Sequence, residues 1–182
     1  MYNKKMNFFS KANIKIFSFL ARNPTKKMYG REIARKTRMS AGATNQSLNY
    51  LLKMGFLRRE KKGDIYFYWA EPDTPATKQF KIFLTVFELM PLIERIGPKS
   101  DKIMLFGSCA DGTDTENSDL DLFVLSEERD AVGDGVKKFA RNYPKKIQVL
   151  IRNYSEWLQY KTKEKPFYER VNRGILLWRK KE

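Results

Sequence analysis

Residues 102–125 read KIMLFGSCADGTDTENSDLDLFVL. Lys102–Phe106 is a short apolar strand that runs straight into Gly107-Ser108. Ten residues follow, Cys109 to Ser118, and then Asp119-Leu120-Asp121 and a second apolar run, Leu122–Leu125. Side chains alternate along a strand, so Asp119 and Asp121 leave the same face. Two carboxylates side by side repel unless a cation sits between them. A divalent ion with oxygen ligands resolves that repulsion, with further oxygens completing its shell. Gly107 lets the backbone approach phosphate closely. Ser108 offers its hydroxyl and backbone N–H to phosphate oxygens, ahead of a candidate helix start, and Gly112 helps the loop turn. Asp-x-Asp alone is common at solvated strand ends, and Gly-Ser alone is weak. The spacing and the two flanking strands together make the pattern specific.

Gly-Ser, ten residues and Asp-x-Asp between apolar strands resembles the DNA polymerase-β-like nucleotidyltransferases. The minimal nucleotidyltransferases, small proteins often encoded beside a toxin partner, are most similar. The resemblance covers about Lys99 to Trp178, and KPFYERVNRGILLW (165–178) is similar to the way these proteins end. It implies transfer of a nucleoside monophosphate to an acceptor hydroxyl with release of pyrophosphate. It assigns Asp119 and Asp121 as catalytic metal ligands for Mg²⁺ or Mn²⁺, and Gly107 and Ser108 as nucleotide-binding residues. It also implies a third acid, from a later strand, that activates the acceptor. That strand is expected at Lys146–Ile151. Its alternation puts Lys146, Gln148 and Leu150 on one side and Ile147, Val149 and Ile151 on the other. Gln148 stands where the acid is expected. It is neutral and cannot usefully accept a proton, so general-base activation is in doubt while metal-nucleotide binding is less so. Glu156 lies past the strand and is not the expected substitute. Cys109 reads as packed rather than reactive, and Arg170 and Arg173 read by default as solvated.

The chain upstream has a different pattern. Ala12–Arg22 and Tyr29–Lys36 read as helices. Thr37-Arg38-Met39 is a short turn, and Ser40 caps a third helix to about Met54, with Leu48, Leu51, Leu52 and Met54 as its apolar stripe. Gly55 stops it. Arg58–Lys62, Gly63-Asp64 and Ile65–Trp69 read as a basic β-hairpin. REIARKTRMSAGATNQSLNYLLKMGFLRRE (31–60) resembles the winged helix-turn-helix DNA-binding family. The resemblance implies a third helix in the major groove of double-stranded DNA, with Thr44, Asn45, Gln46 and Asn49 facing base edges. Arg58, Arg59, Lys61 and Lys62 on the wing would meet phosphate. Such proteins usually bind two-fold operators as dimers, so a homodimer is a candidate state. Winged helices also serve as protein-interaction modules. Thr77–Ile96 reads as one long helix carrying Phe80, Phe83, Leu84, Phe87 and Ile93, a linker, a dimer seam or packing between domains.

Composition agrees with this division. The 182 residues carry 36 Lys plus Arg and 21 Asp plus Glu, net +15. Residues 1–98 hold 19 basic and 7 acidic side chains, and residues 99–182 hold 17 and 14. The excess charge therefore belongs mostly to the half with the basic hairpin, which suits an anionic partner. With no His there is no Ser-His-Asp triad and no His-based metal site. A single Cys excludes an intrachain disulfide and a zinc ribbon. The start is polar and basic through Lys5, and the longest apolar stretches fall far short of a membrane span, so neither a signal peptide nor a membrane helix is expected and the protein reads as cytoplasmic. The expected architecture is α+β and α/β. A winged helix-turn-helix spans 1–75, a linker helix 76–97, and a nucleotidyltransferase fold with a short mixed sheet 98–182. The leading functional expectation is a DNA-binding protein that transfers a nucleoside monophosphate to a protein or small acceptor. The alternative is a transcription regulator, or an antitoxin-like partner of a toxin-like protein, in which a degenerate nucleotidyltransferase domain senses nucleotide or docks a partner.

Overall fold

A computed structural model describes residues 8–24 and 26–181. The basic start of the chain, through Lys5, lies outside the described residues. The chain divides at Lys81/Ile82 into two compact units, so the long helix expected as a separate linker contributes to both.

The first unit follows the order helix, helix, helix, hairpin. Its helices are α1 (Lys11–Ala21), α2 (Gly30–Thr37) and α3 (Ala41–Lys53), with a two-residue strand β1 (Met28–Tyr29) before α2. Ser40 caps α3 by accepting the Ala43 N–H at 3.3 Å, a contact typically worth ~1 kcal/mol. At the other end Gly55 takes φ +78°. The Phe56 N–H then reaches the Leu51 carbonyl, and the Gly55 N–H reaches that of Leu52. This pairing ends a helix with its last carbonyls satisfied. Ile16, Phe17, Leu20, Ile33, Leu48 and Leu51 are fully buried. Met54, expected in the buried stripe, is exposed, because it is the C-cap and has left the core-facing side of α3. Strands β2 (Arg58–Lys62) and β3 (Ile65–Trp69) pair antiparallel, with Lys62 opposite Ile65 across the Gly63-Asp64 turn. β1 adds to the far side of β3.

Helix α4 (Pro75–Ile96) crosses the division. Of its expected apolar residues, Phe80 and Leu84 are buried while Phe83 and Phe87 are exposed.

The second unit is a four-stranded mixed sheet with helices on both faces. Its strands are β4 (Lys102–Phe106), β5 (Leu120–Leu125), β6 (Ile147–Arg152) and β7 (Ile175–Arg179), in the spatial order β6-β5-β4-β7. β4 runs antiparallel to β5 and β7, and β5 runs parallel to β6. Four helices complete the unit: the one-turn α5 (Ser108–Asp111), α6 (Arg129–Ala140), α7 (Tyr154–Lys163) and α8 (Lys165–Asn172). Alternation along the strands splits the core in two. Ile103, Leu105, Leu120, Leu122 and Val124 pack with Leu92 and Ile96 of α4 and with Val132 and Val136 of α6. On the opposite face Met104, Phe106, Phe123 and Leu125 pack with Trp157 of α7 and Val171 of α8. Asp121 alternates with Phe123 and so belongs to the α7–α8 face. Among the described residues no helix is long and apolar enough to cross a membrane.

One buried ion pair ties the loop before β5 to the segment that leads into β6. Lys145 Nζ lies 2.8 Å from Asp114 Oδ2, with the side chains 3% and 0% exposed. The same ammonium donates to the carbonyls of Thr115 and Ser118. Removing one member of such a pair leaves an uncompensated buried charge. Lys145→Met is therefore expected to destabilise the second unit by about 3–5 kcal/mol in guanidinium unfolding. A loss below ~1 kcal/mol would show the pair to be dispensable.

Candidate functional site

The antiparallel register of β4 and β5 sets Phe106 opposite Asp121. The next residue, Gly107, turns at φ +70°, ψ −159°. A Cβ at this position would stand 2.4 Å from Asp121 Oδ2. Glycine is thus required twice, by the backbone angle and by the carboxylate lying over it. The Gly107 carbonyl accepts the N–H groups of Ala110 and Asp111, which closes α5, and Ser108 opens that turn. Asp119 immediately precedes β5. The parallel register of β5 and β6 places Gln148 opposite Asp121, and Gln148 Nε2 donates to Asp119 Oδ2 at 3.2 Å. Gly107, Asp119, Asp121 and Gln148 therefore share one corner of the sheet, at the carboxyl end of β4. Glu156 is engaged elsewhere. It accepts the Asn153 N–H in the capping box of α7 and pairs with Arg129. Cys109 is fully buried, its thiol facing the Asp119 carbonyl at 3.5 Å.

Burial pushes the Asp121 carboxyl above its ordinary range. Arg170 opposes that rise, and the like charge of Asp119 adds to it. Among the described residues no group of three or more Asp, Glu, Cys or His stands together. The donor set is then two carboxylates, oxygen only and half-buried, which suits Mg²⁺ or Mn²⁺ with ligand oxygens completing the shell. The raised pKa has a stability consequence. The folded chain holds the Asp121 proton more tightly than the unfolded chain does. The stability this provides is complete below the unfolded carboxyl value of ~3.9 and is lost as pH rises through the folded value. In metal-free buffer at pH 7, Asp121→Asn is expected to melt at a higher temperature than wild type, and the difference should vanish at about pH 3. A lower melting temperature at pH 7 would contradict this account of the acid pair.

The first unit carries the second group of expected site residues. Asn45, Gln46 and Asn49 are exposed on α3. Thr44 is not. It is fully buried, and its hydroxyl donates to the Ser40 carbonyl at 2.9 Å. It lies on the same face as Ser47, Leu48 and Leu51, so a base edge cannot reach it, and the expectation for Thr44 is corrected. On the wing Arg58, Arg59, Lys61 and Lys62 are all exposed. Glu60 pairs with Lys62 at 3.2 Å and Lys27 at 2.7 Å. The Arg59 guanidinium lies over the Tyr66 ring at 4.6 Å. Between α3 and the wing opens a groove of about 420 Å³, lined by Tyr29, Arg31, Asn45, Asp64, Ile65 and Tyr66 among others. Nothing in the sequence marks Tyr29 for this groove, because only the pairing of β1 with β3 brings it beside the wing.

Comparison with known families agrees with this division. Residues 12–64 match the MarR family. Residues 92–182, half of the chain, match the family described as Polymerase beta, Nucleotidyltransferase. No curated protein matches the chain. With a MarR-like winged helix ahead of that domain, the chain belongs to the polymerase beta nucleotidyltransferase family.

Proposed function

We propose that this protein is a DNA-binding regulator whose nucleotidyltransferase domain binds a metal-nucleotide as a signal and does not transfer it. The observation that carries this reading is the Gln148–Asp119 hydrogen bond. The amide stands beside both acids, where an acceptor hydroxyl would need a base. A carboxamide nitrogen is a donor, and its oxygen is too weak a base to take a proton at neutral pH. Binding makes lighter demands. Asp119 and Asp121 would hold Mg²⁺ or Mn²⁺, and Gly107 and Ser108 would face the phosphates. The ion, when bound, neutralises the carboxylates and polarises a phosphate oxygen. Burial of the Asp121 carboxyl favours any ligand that brings positive charge.

The exposed amides of Asn45, Gln46 and Asn49 offer donors and acceptors to base edges, and Arg58, Arg59 and Lys61 offer charge to phosphate. A dimer would set two α3 helices into successive major grooves of a two-fold site. If nucleotide changes DNA affinity, DNA changes nucleotide affinity by the same factor. The test is an electrophoretic shift of DNA upstream of the gene, with and without Mg²⁺ and ATP or GTP. The apparent Kd is expected to change at least about fivefold on adding nucleotide in wild type and not at all in Asp121→Asn. A nucleotide effect that survives Asp121→Asn, or no effect in wild type, would count against the regulator reading. In the same assay Arg59→Ala is expected to lower the slope of log Kd against log salt by ~1. An unchanged slope would remove the wing from the DNA interface.

A further inference from the structure

A cavity of about 460 Å³ opens on the α8 side of Gly107, with Ala110, Pro166, Arg170, Arg173 and Gly174 among its walls. Two acids, Asp111 and Glu169, also border it. Glu169 stands 3.8 Å from Arg173 and 4.0 Å from Lys165, so Arg173 already faces a carboxylate. Arg170 differs: among the described residues it has no ion-pair partner. Its guanidinium lies over two rings instead, 5.3 Å from the Phe167 centroid and 5.7 Å from that of Phe106. Phe106 is the residue before Gly107, and the two rings meet edge-to-face at 5.8 Å. The next residue along α8, Val171, is fully buried and holds the helix to the sheet. A cation is thereby carried on the same wall as the Gly107 turn, across the acid pair from Gln148. Its charge reaches Asp121 and opposes the effect of burial there.

The charge balance asks for such a group. A divalent ion held by Asp119 and Asp121 would neutralise those two carboxylates and would leave most of a triphosphate's charge uncompensated. A planar guanidinium can take two phosphate oxygens at once, and rings beneath it reduce the freedom lost on binding. We propose that Arg170 binds the distal phosphates of a nucleoside di- or triphosphate seated on Gly107 and makes the site selective for a polyphosphate tail over a nucleoside monophosphate. This assignment rests on the reading of Asp119 and Asp121 as the metal-nucleotide site.

The test is calorimetric titration of the full chain in Mg²⁺ with ATP, AMP and inorganic tripolyphosphate as probes, for wild type, Arg170→Gln, Arg170→Lys and Asp121→Asn. Wild type is expected to bind ATP more tightly than AMP. Arg170→Gln should weaken ATP and tripolyphosphate by about 10–100-fold and leave AMP unchanged. Arg170→Lys, which keeps charge but loses the fork, should fall between. If Arg170→Gln shifts the unfolding midpoint, the lysine variant decides: a loss confined to ATP and tripolyphosphate supports the assignment, and an equal loss for AMP overturns it. ATP binding unaffected by Arg170→Gln but abolished by Asp121→Asn overturns the role of Arg170 and leaves the nucleotide site standing. Binding of ATP that ignores Asp121→Asn overturns the nucleotide-site reading itself.

Discussion

The close approach of the Asp121 carboxylate to Gly107 is the constraint on which the second unit's chemistry depends. The β4–β5 register places Asp121 beside the last residue of β4, and Gly107 must then turn without a Cβ to avoid it. The turn starts α5, and Ser108 gathers the N–H groups of Thr113 and Asp114. Beyond that point the loop is fixed by Lys145, whose ammonium reaches Asp114 and two carbonyls. Both ends of the ten-residue spacer are thus held, one by sterics and one by a buried ion pair. The spacing between Gly107-Ser108 and Asp119 has a structural cause as well as a chemical one.

The same register arguments account for what sits beside the acids. β6 lies parallel to β5, so the residue opposite Asp121 is determined by the strand pairing and not by loop conformation. That residue is Gln148. Its hydrogen bond to Asp119 orients one carboxylate without adding charge. Glu156, the nearest acid along the chain, is committed to a helix cap and to Arg129. The corner for which the family resemblance implies a third acid holds two acids and an amide. In the first unit the device is simpler: capped helices carry exposed amides on α3, and a two-residue turn projects the basic wing.

Much of this was legible from local signals. Ser40 and Gly55 bracket α3 because capping chemistry is short-range. The hairpin is marked by its turn, and the alternation in KKIQVLI gave the correct faces for β6. The less visible parts are those set by partners distant in sequence. Large apolar residues mark the α3 stripe in the sequence, whereas its core face begins at Thr44 and Ser47, small polar residues, with the Thr44 hydroxyl satisfied by the Ser40 carbonyl. Helix α6 carries Gly133 and Gly135, which weaken its helical signal. In the fold Gly135 leaves the space taken by Ile96, whose Cγ2 would lie 2.6 Å from an added Cβ. Lys145 reads as one more surface lysine in a basic chain, and only the return of β6 beside β5 reveals Asp114 as its partner. The edge-to-face ring pair beneath Arg170 likewise joins β4 to α8, more than sixty residues later.

The proposed function requires that two carboxylates and an amide hold a metal-nucleotide without turning it over. It is tested most directly by measuring Mg²⁺-dependent ATP binding and pyrophosphate release in the same sample, for wild type beside Gln148→Asp. The account predicts that wild type binds ATP in a Mg²⁺-dependent way with no pyrophosphate above the protein-free background, and that Gln148→Asp, with an acid restored beside Asp119 and Asp121, begins to release it. Pyrophosphate release by wild type, lost in Asp121→Asn, would contradict the account and establish the protein as a working transferase.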